Sequence, residues 1–211
     1  MRKLGKLAII SALALAAAAL AATASAVPSG GVSECTIVGT EGDDFLYGTD
    51  GNDIICGLGG DDLIYGGDGD DWISGDDGAD TIYGGTGDDI IFGNAGKDFL
   101  RGGSGDDSLY GDAGNDVIRG GSGDDWLSGG PGDDWLLGGK GDDEAGGDDG
   151  DDLISGGKGD DLLYGGMGND EILGGVGDDH LYGDEGDDRL VDIEGIDFLD
   201  GGKGANELRD L

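Results

Sequence analysis

The sequence predicts an all-β solenoid, with two short parallel strands in each 18-residue coil and the coils stacked along one axis. Three observations predict it. From Gly39 to Arg209 the chain divides into 19 units of nine, without an insertion or deletion. The fourth place of every unit is glycine, from Gly42 to Gly204, and the sixth is aspartate until the last unit, which has Asn206. The eighth place is leucine or isoleucine in every unit except one, where Ala145 stands. A fixed period of this kind marks a structure built by stacking one small motif.

The elements follow from one unit, for example GGSGDDWLS at 120–128. Its first six residues are glycine and acid. Glycine reaches positive φ at little steric cost, so this part predicts a tight turn with inward-pointing carbonyls. The last three residues predict a very short strand. Alternation along a strand sends the eighth residue to one side and the seventh and ninth to the other. The eighth is the consistently aliphatic one, so it faces the core. A strand this short persists only when stacked on copies of itself. Two turns and two strands close a coil, and coils stack about 4.8 Å apart. Nineteen units then give about nine and a half coils and a rod of roughly 45 Å.

The core is two facing ladders. One holds Leu46, Ile64, Ile82, Leu100, Ile118, Leu136, Ile154, Ile172, Leu190 and Leu208. The other holds Ile55, Ile73, Ile91, Leu109, Leu127, Ala145, Leu163, Leu181 and Leu199. The unit ending Glu144-Ala145-Gly146 is a poor strand and a predicted weak point. Other periodic structures fit badly. A helix needs apolar residues every three or four positions and little glycine. Collagen needs much proline, and there are two here. An EF-hand needs a closing glutamate and two flanking helices, for which the units leave no room.

Residues 1–26 have a basic head (Arg2, Lys3, Lys6), an Ala-rich apolar run and the small-residue pattern Ala24-Ser25-Ala26. That is the pattern of a cleaved secretory signal peptide. Residues 27–38 then form a lead-in, 39–209 the solenoid, and unit 201–209 a C-terminal cap. No later apolar stretch is long enough to span a bilayer as a helix. Cys35 and Cys56 are the two cysteines. In an exported chain a disulfide is the default reading, with free thiols as the alternative. A bridge over a loop of about 20 residues contributes roughly 3 kcal/mol.

The chain carries 48 acids against 11 Lys and Arg, a net charge of −37. Loss of residues 1–26, whose three side-chain charges are all basic, makes this −37 − 3 = −40. Such a chain has no charge-based affinity for nucleic acid, and anionic membranes repel it. Stacking lines the sixth-place aspartates in columns, where bare carboxylates at coil spacing repel by about 1 kcal/mol even in water. A cation must hold them. Carboxylates with backbone carbonyls in a flexible loop select calcium over magnesium or a transition metal. The predicted ligands are Asp44, Asp53, Asp62, Asp71, Asp80, Asp89, Asp98, Asp107, Asp116, Asp125, Asp134, Asp143, Asp152, Asp161, Asp170, Asp179, Asp188 and Asp197. Each ion would sit between turns two units apart, giving up to roughly 17 sites for Ca2+.

The unit resembles the RTX, or hemolysin-type, nonapeptide G-G-x-G-x-D-x-U-x, with U a large aliphatic. GGTGDDIIF (84–92), GGSGDDSLY (102–110) and GGKGDDLLY (156–164) match it in full. The resemblance covers residues 39 to about 209 and implies a parallel β-roll that holds calcium on sixth-place aspartates and turn carbonyls. With its Cys-containing lead-in, the chain is similar to small secreted calcium-binding proteins of actinobacteria. The fifth-place acids (Asp43, Asp61, Asp70, Asp88 and others) are expected to be mainly solvated, because Ala79, Lys97 and Ile196 also occupy that place. Unit 192–200, DIEGIDFLD, departs from the pattern by lacking the first glycines, and unit 201–209 is expected to bind little or no calcium.

The function expected is calcium binding coupled to folding, in an extracellular protein. The alternative is an adhesin, scaffold or self-associating protein in which calcium is only structural. For that reading the candidate surface is an outward seventh-place ladder of Phe45, Leu63, Phe99, Val117, Trp135 and Leu153. The blander account of that ladder is β-propensity on an exposed sheet. No enzyme is expected. Catalysis needs one distinctive site, and His180 sits at an outward place without a nucleophile partner.

Overall fold

The structure is a computed structural model that describes residues 35–210. The predicted signal peptide, and the lead-in up to Glu34, lie outside the described residues. Every regular element described is a β-strand. The first three are short: β1 (Ile37–Val38), β2 (Phe45–Tyr47) and β3 (Ile54–Cys56). Fourteen six-residue strands follow, from β4 (Leu63–Asp68) to β17 (His180–Glu185). β18 (Arg189–Asp192), β19 (Phe198–Asp200) and β20 (Glu207–Asp210) close the chain.

Odd-numbered strands form one ten-stranded sheet and even-numbered strands the other. All pairing is parallel, and the register is constant, each residue facing its counterpart two units on: Ile64 pairs with Ile82, Ile73 with Ile91 and Leu136 with Ile154. This is a parallel β-roll of two strands per coil. The strands are longer than the three residues predicted. β4 reads LIYGGD, so it continues through the first three places of the next unit. Gly67 pairs with Gly85 and Asp68 with Thr86, beyond the unpaired Gly66. Two glycines in succession weaken a strand on their own, but the parallel neighbours on both sides supply the ladder bonds that propensity does not. The true turn is then three residues, the fourth to sixth places. Gly105, a fourth-place residue, has φ 126°, which an L side chain rarely adopts.

The eighth-place side chains meet in one core between the sheets. Ile55, Ile64, Ile73, Ile82, Ile91 and Leu100 have no exposed surface, and the ladder continues so to Leu190. Each such burial contributes about 2 kcal/mol. The last predicted rung is a correction: Leu208 is 47% exposed, because no coil covers it. Ala145 is fully buried, and the strand that carries it (Glu144–Asp149) runs without interruption. Cys35 and Cys56 form a disulfide with Cα atoms 6.0 Å apart, tying the start of the described chain to β3.

Outward side chains stack at coil spacing. Tyr65 lies between Tyr47 and Tyr83, with ring centroids 5.3 and 4.9 Å away and near-parallel planes. Phe92 stacks on Tyr110 at 4.9 Å. On the predicted apolar ladder Phe45 is 72% and Trp135 44% exposed, while Leu63, Phe99, Val117 and Leu153 are half-buried. Part of that cover comes from Arg119, whose guanidinium lies 5.3 Å from the Phe99 ring centre and 6.0 Å from that of Trp135. His180 is exposed, as the sequence predicts.

Candidate metal centre

The turns place two adjacent acids in opposite roles. A sixth-place aspartate turns inward beside its own turn. Its Oδ1 accepts the backbone N–H of the sixth-place residue one coil earlier: Asp80 N–H donates to Asp98 at 2.7 Å, Asp98 to Asp116 at 2.8 Å and Asp116 to Asp134 at 2.7 Å. A fifth-place aspartate reaches the other way. Asp106 N–H donates to Oδ1 of Asp88 at 2.9 Å, and Asp124 N–H to Oδ1 of Asp106 at 2.8 Å. The fifth-place acids are exposed, as expected, yet one oxygen of many of them caps the next coil. Both roles need the three-dimensional register, which is why unit-by-unit reading missed them.

The second oxygen of the sixth-place aspartate sets up the site. From Asp62 to Asp197, all 16 sixth-place aspartates keep an Oδ2 that is buried without a hydrogen-bond partner. Most of these aspartates are fully buried: Asp98 and Asp179 have no exposed surface and Asp107 has 1%. A buried polar atom with no partner is costly, and a whole register of them demands a shared explanation. From Asp62 to Asp188 each Oδ2 overhangs the first-place glycine of its own turn, in many turns opposite the carbonyl of the next coil's first glycine. A Cβ on Gly111 would lie 2.5 Å from Asp116 Oδ2 and 2.6 Å from Gly129 O. Glycine therefore keeps a small oxygen-lined cradle open between coils.

The electrostatics agree. Burial pushes the carboxyls of Asp80, Asp107, Asp116, Asp125, Asp143, Asp152 and Asp161 up to about 7. Those of Asp89, Asp98, Asp134 and Asp170 rise to about 6 for the same reason. The inter-coil N–H donor opposes the rise, and neighbouring carboxylates add to it. Among the described residues no ion pair reaches these columns. The ion pairs among the described residues are Arg189–Glu171, Lys203–Glu185 and Arg209–Glu207, near the C-terminal end. Carboxylate and carbonyl oxygens, without nitrogen or sulfur, make a donor set that fits a hard cation such as calcium.

Both ends of the ladder differ from its middle. Asp44 and Asp53 are the first two predicted ligands, and their Oδ2 atoms already have partners. Thr40 donates to Asp44 through N–H at 2.6 Å and Oγ1 at 2.9 Å. Thr49 does the same for Asp53, at 2.7 and 2.9 Å. At the far end Asn206 keeps the Oδ1 contact, accepting Asp188 N–H at 2.7 Å. Its Nδ2 donates back to Gly201 O. The signals were present in the sequence: threonine replaces glycine at the second place of two units, and asparagine replaces aspartate in one.

A regular parallel β-roll with a ladder of buried, inward carboxylates defines a calcium-binding type of repeat protein, structural rather than catalytic in kind. The sequence profile described as RTX calcium-binding nonapeptide repeat matches the chain in overlapping segments, among them 36–64, 83–118, 110–145, 146–181 and 182–209. The chain belongs to that family. No curated protein matches it.

Proposed function

We propose that this chain is an extracellular protein whose β-roll folds as calcium fills the cradles between stacked turns. One observation carries the reading: the buried, unpartnered Oδ2 atoms of the sixth-place aspartates from Asp62 to Asp197, set in two columns. When bound, calcium supplies positive charge and vacant coordination positions to these oxygens. The sixth-place aspartates and first-place carbonyls are its ligands. Oδ1 holds each carboxylate in place through the inter-coil N–H, so that Oδ2 points into the cradle. Asp44 and Asp53 bind weakly or not at all, because threonine already satisfies them. Unit 201–209 acts as a cap. Location outside the cell is supported by the Cys35–Cys56 disulfide, by the usual export of this repeat family and by the signal pattern of residues 1–26.

Far-UV circular dichroism of the chain during calcium titration, with magnesium as control, tests this reading. A coil-to-β transition with calcium alone is expected. A chain fully folded in chelator overturns the coupling of folding to calcium.

A second reading gives calcium a structural role only and assigns adhesion or self-association to the outward ladder. Exposed Phe45 and Trp135 favour it. Sedimentation of the calcium-loaded chain checks it: a concentration-independent monomer removes self-association.

A further inference from the structure

One slot of the roll is built differently from the rest. Asp192 is the only residue other than glycine at the first place of any of the 19 units. It ends β18, one coil beyond Gly174. It is fully buried, and its Oδ2 has no hydrogen-bond partner. Its Oδ1 is fixed by the N–H of Ile193 at 2.6 Å and of Gly175 at 3.2 Å. A Cβ built on Gly174 would lie 2.5 Å from Asp192 Oδ2 and 2.6 Å from Asp179 Oδ2. Over Gly111 or Gly183 the corresponding neighbours are one carboxylate oxygen and one backbone carbonyl. Over Gly174 a second carboxylate has taken the carbonyl's place.

Asp197 completes the group. It is the sixth-place aspartate of the same unit as Asp192, its Oδ1 accepts Asp179 N–H at 3.1 Å, and its Oδ2 is unpartnered. Carboxylate oxygens of Asp179, Asp192 and Asp197 all lie within 4.8 Å of one another. None of the three takes part in the ion pairs among the described residues. Three carboxylates, two of them without exposed surface, face one small space with no internal counter-charge. Such a group demands a cation from solution.

We infer that Asp179, Asp192 and Asp197 form a tris-carboxylate calcium site that is tighter than the repeat slots and fills first. This deepens the proposed function and rests on it. Affinity for calcium among oxygen sites rises with the number of charged ligands and the rigidity of the site. Asp192 adds a full charge where slots such as those over Gly111 and Gly183 offer a carbonyl dipole. Its position also suits a nucleus for ordering. It lies at the last coils, where the first-place glycine is missing and Ile193 and Ile196 are exposed.

Calcium titration of the whole chain in competition with a chromophoric chelator tests the inference, using wild type, Asp192→Gly and Asp192→Asn. Glycine restores the residue used by the other units. Asparagine keeps the Oδ1 acceptor for Ile193 and Gly175 and removes only the charge, so one of the two remains informative if the other perturbs folding. The wild type is expected to hold one ion per chain about tenfold or more tighter than the rest. Both variants should lose that tight class and bind the remaining ions unchanged. A wild type with a single uniform class, or variants with the wild-type isotherm, overturns the inference while leaving the repeat slots as calcium sites. A proton shared between Asp179 and Asp192 would then account for the pair. Calcium uptake by none of the three proteins overturns both readings.

Discussion

The backbone N–H of Asp98 donates to Oδ1 of Asp116, one coil further on, at 2.8 Å, and the other oxygen of Asp116 is buried without a partner. One carboxylate thus divides its work. Half of it stitches two coils together, and the other half faces the gap between coils without a hydrogen-bond donor. Where the fifth place is also an aspartate, as in Asp106-Asp107, that acid stitches in the opposite direction and the pair grips both neighbouring coils. That division lets substitutions at one position separate scaffolding from binding.

Asp116→Asn keeps an acceptor for Asp98 N–H and removes the charge at Oδ2. Asp116→Ala removes both. Leaving the buried N–H unsatisfied costs roughly 1–3 kcal/mol beyond the loss of the ion. Both variants should shift the calcium midpoint of folding upward in a circular dichroism titration, with alanine shifted further. Equal shifts would show that the Oδ1 contact contributes nothing.

Glycine at the first place is required by space. Gly111→Ala puts a Cβ against Asp116 Oδ2 and Gly129 O, whereas an added Cβ at Gly146 meets nothing within 4 Å. Gly111→Ala is expected to destabilise the calcium-loaded roll by about 2 kcal/mol or more. Gly146→Ala should be neutral or stabilise by about 0.5 kcal/mol, because alanine loses less backbone entropy. Thermal unfolding of the two variants at saturating calcium distinguishes them.

The pH dependence has an unusual sign without calcium. Burial raises Asp116 from its ordinary value of 3.8 to about 7, and Asp98 to about 6. The folded state therefore binds protons more tightly than the unfolded state. The stability this contributes is fully present below about 3.8 and is lost as pH rises through about 6 to 7. The metal-stripped chain should be more ordered near pH 4 than near pH 8, by far-UV circular dichroism. With calcium present the sign reverses, since ions and protons compete for the same oxygens. The calcium midpoint should rise as pH falls below about 6. A calcium-free chain insensitive to pH would contradict the burial of these groups.

The N-terminal coil should be the part least dependent on calcium. The Cys35–Cys56 disulfide and the Thr40–Asp44 and Thr49–Asp53 contacts close it without an ion. Hydrogen exchange at low calcium should leave residual protection around β2 and β3, the strands at Phe45–Tyr47 and Ile54–Cys56. Reduction of the disulfide should remove that protection and cost roughly 3 kcal/mol. Thr49→Val should weaken it by about 1 kcal/mol, through loss of the hydroxyl contact to Asp53.

The sequence by itself determined the period, the coil, the two ladders and the acid columns. Each follows from one residue type recurring at one place: an aliphatic eighth residue has one face to bury, and a strict nine-residue step allows one stacking register. The sixth-place aspartates were legible as the candidate site for the same reason. Only the tertiary structure decided what happens between coils. Strand length was one such matter, since paired neighbours carry strands such as Leu63–Asp68 through glycines that propensity would break. The division of the carboxylates from Asp62 to Asp197 into a stitching and an unpartnered oxygen was another, because it depends on which N–H lies one coil away. The withdrawal of Asp44 and Asp53 by threonine, and the meeting of Asp192 with Asp179 over Gly174, were decided there too. Asp179 and Asp192 stand in different units and become neighbours only when the solenoid closes its turn. A period tells which residues are alike; contact from one coil to the next tells which of them share a charge.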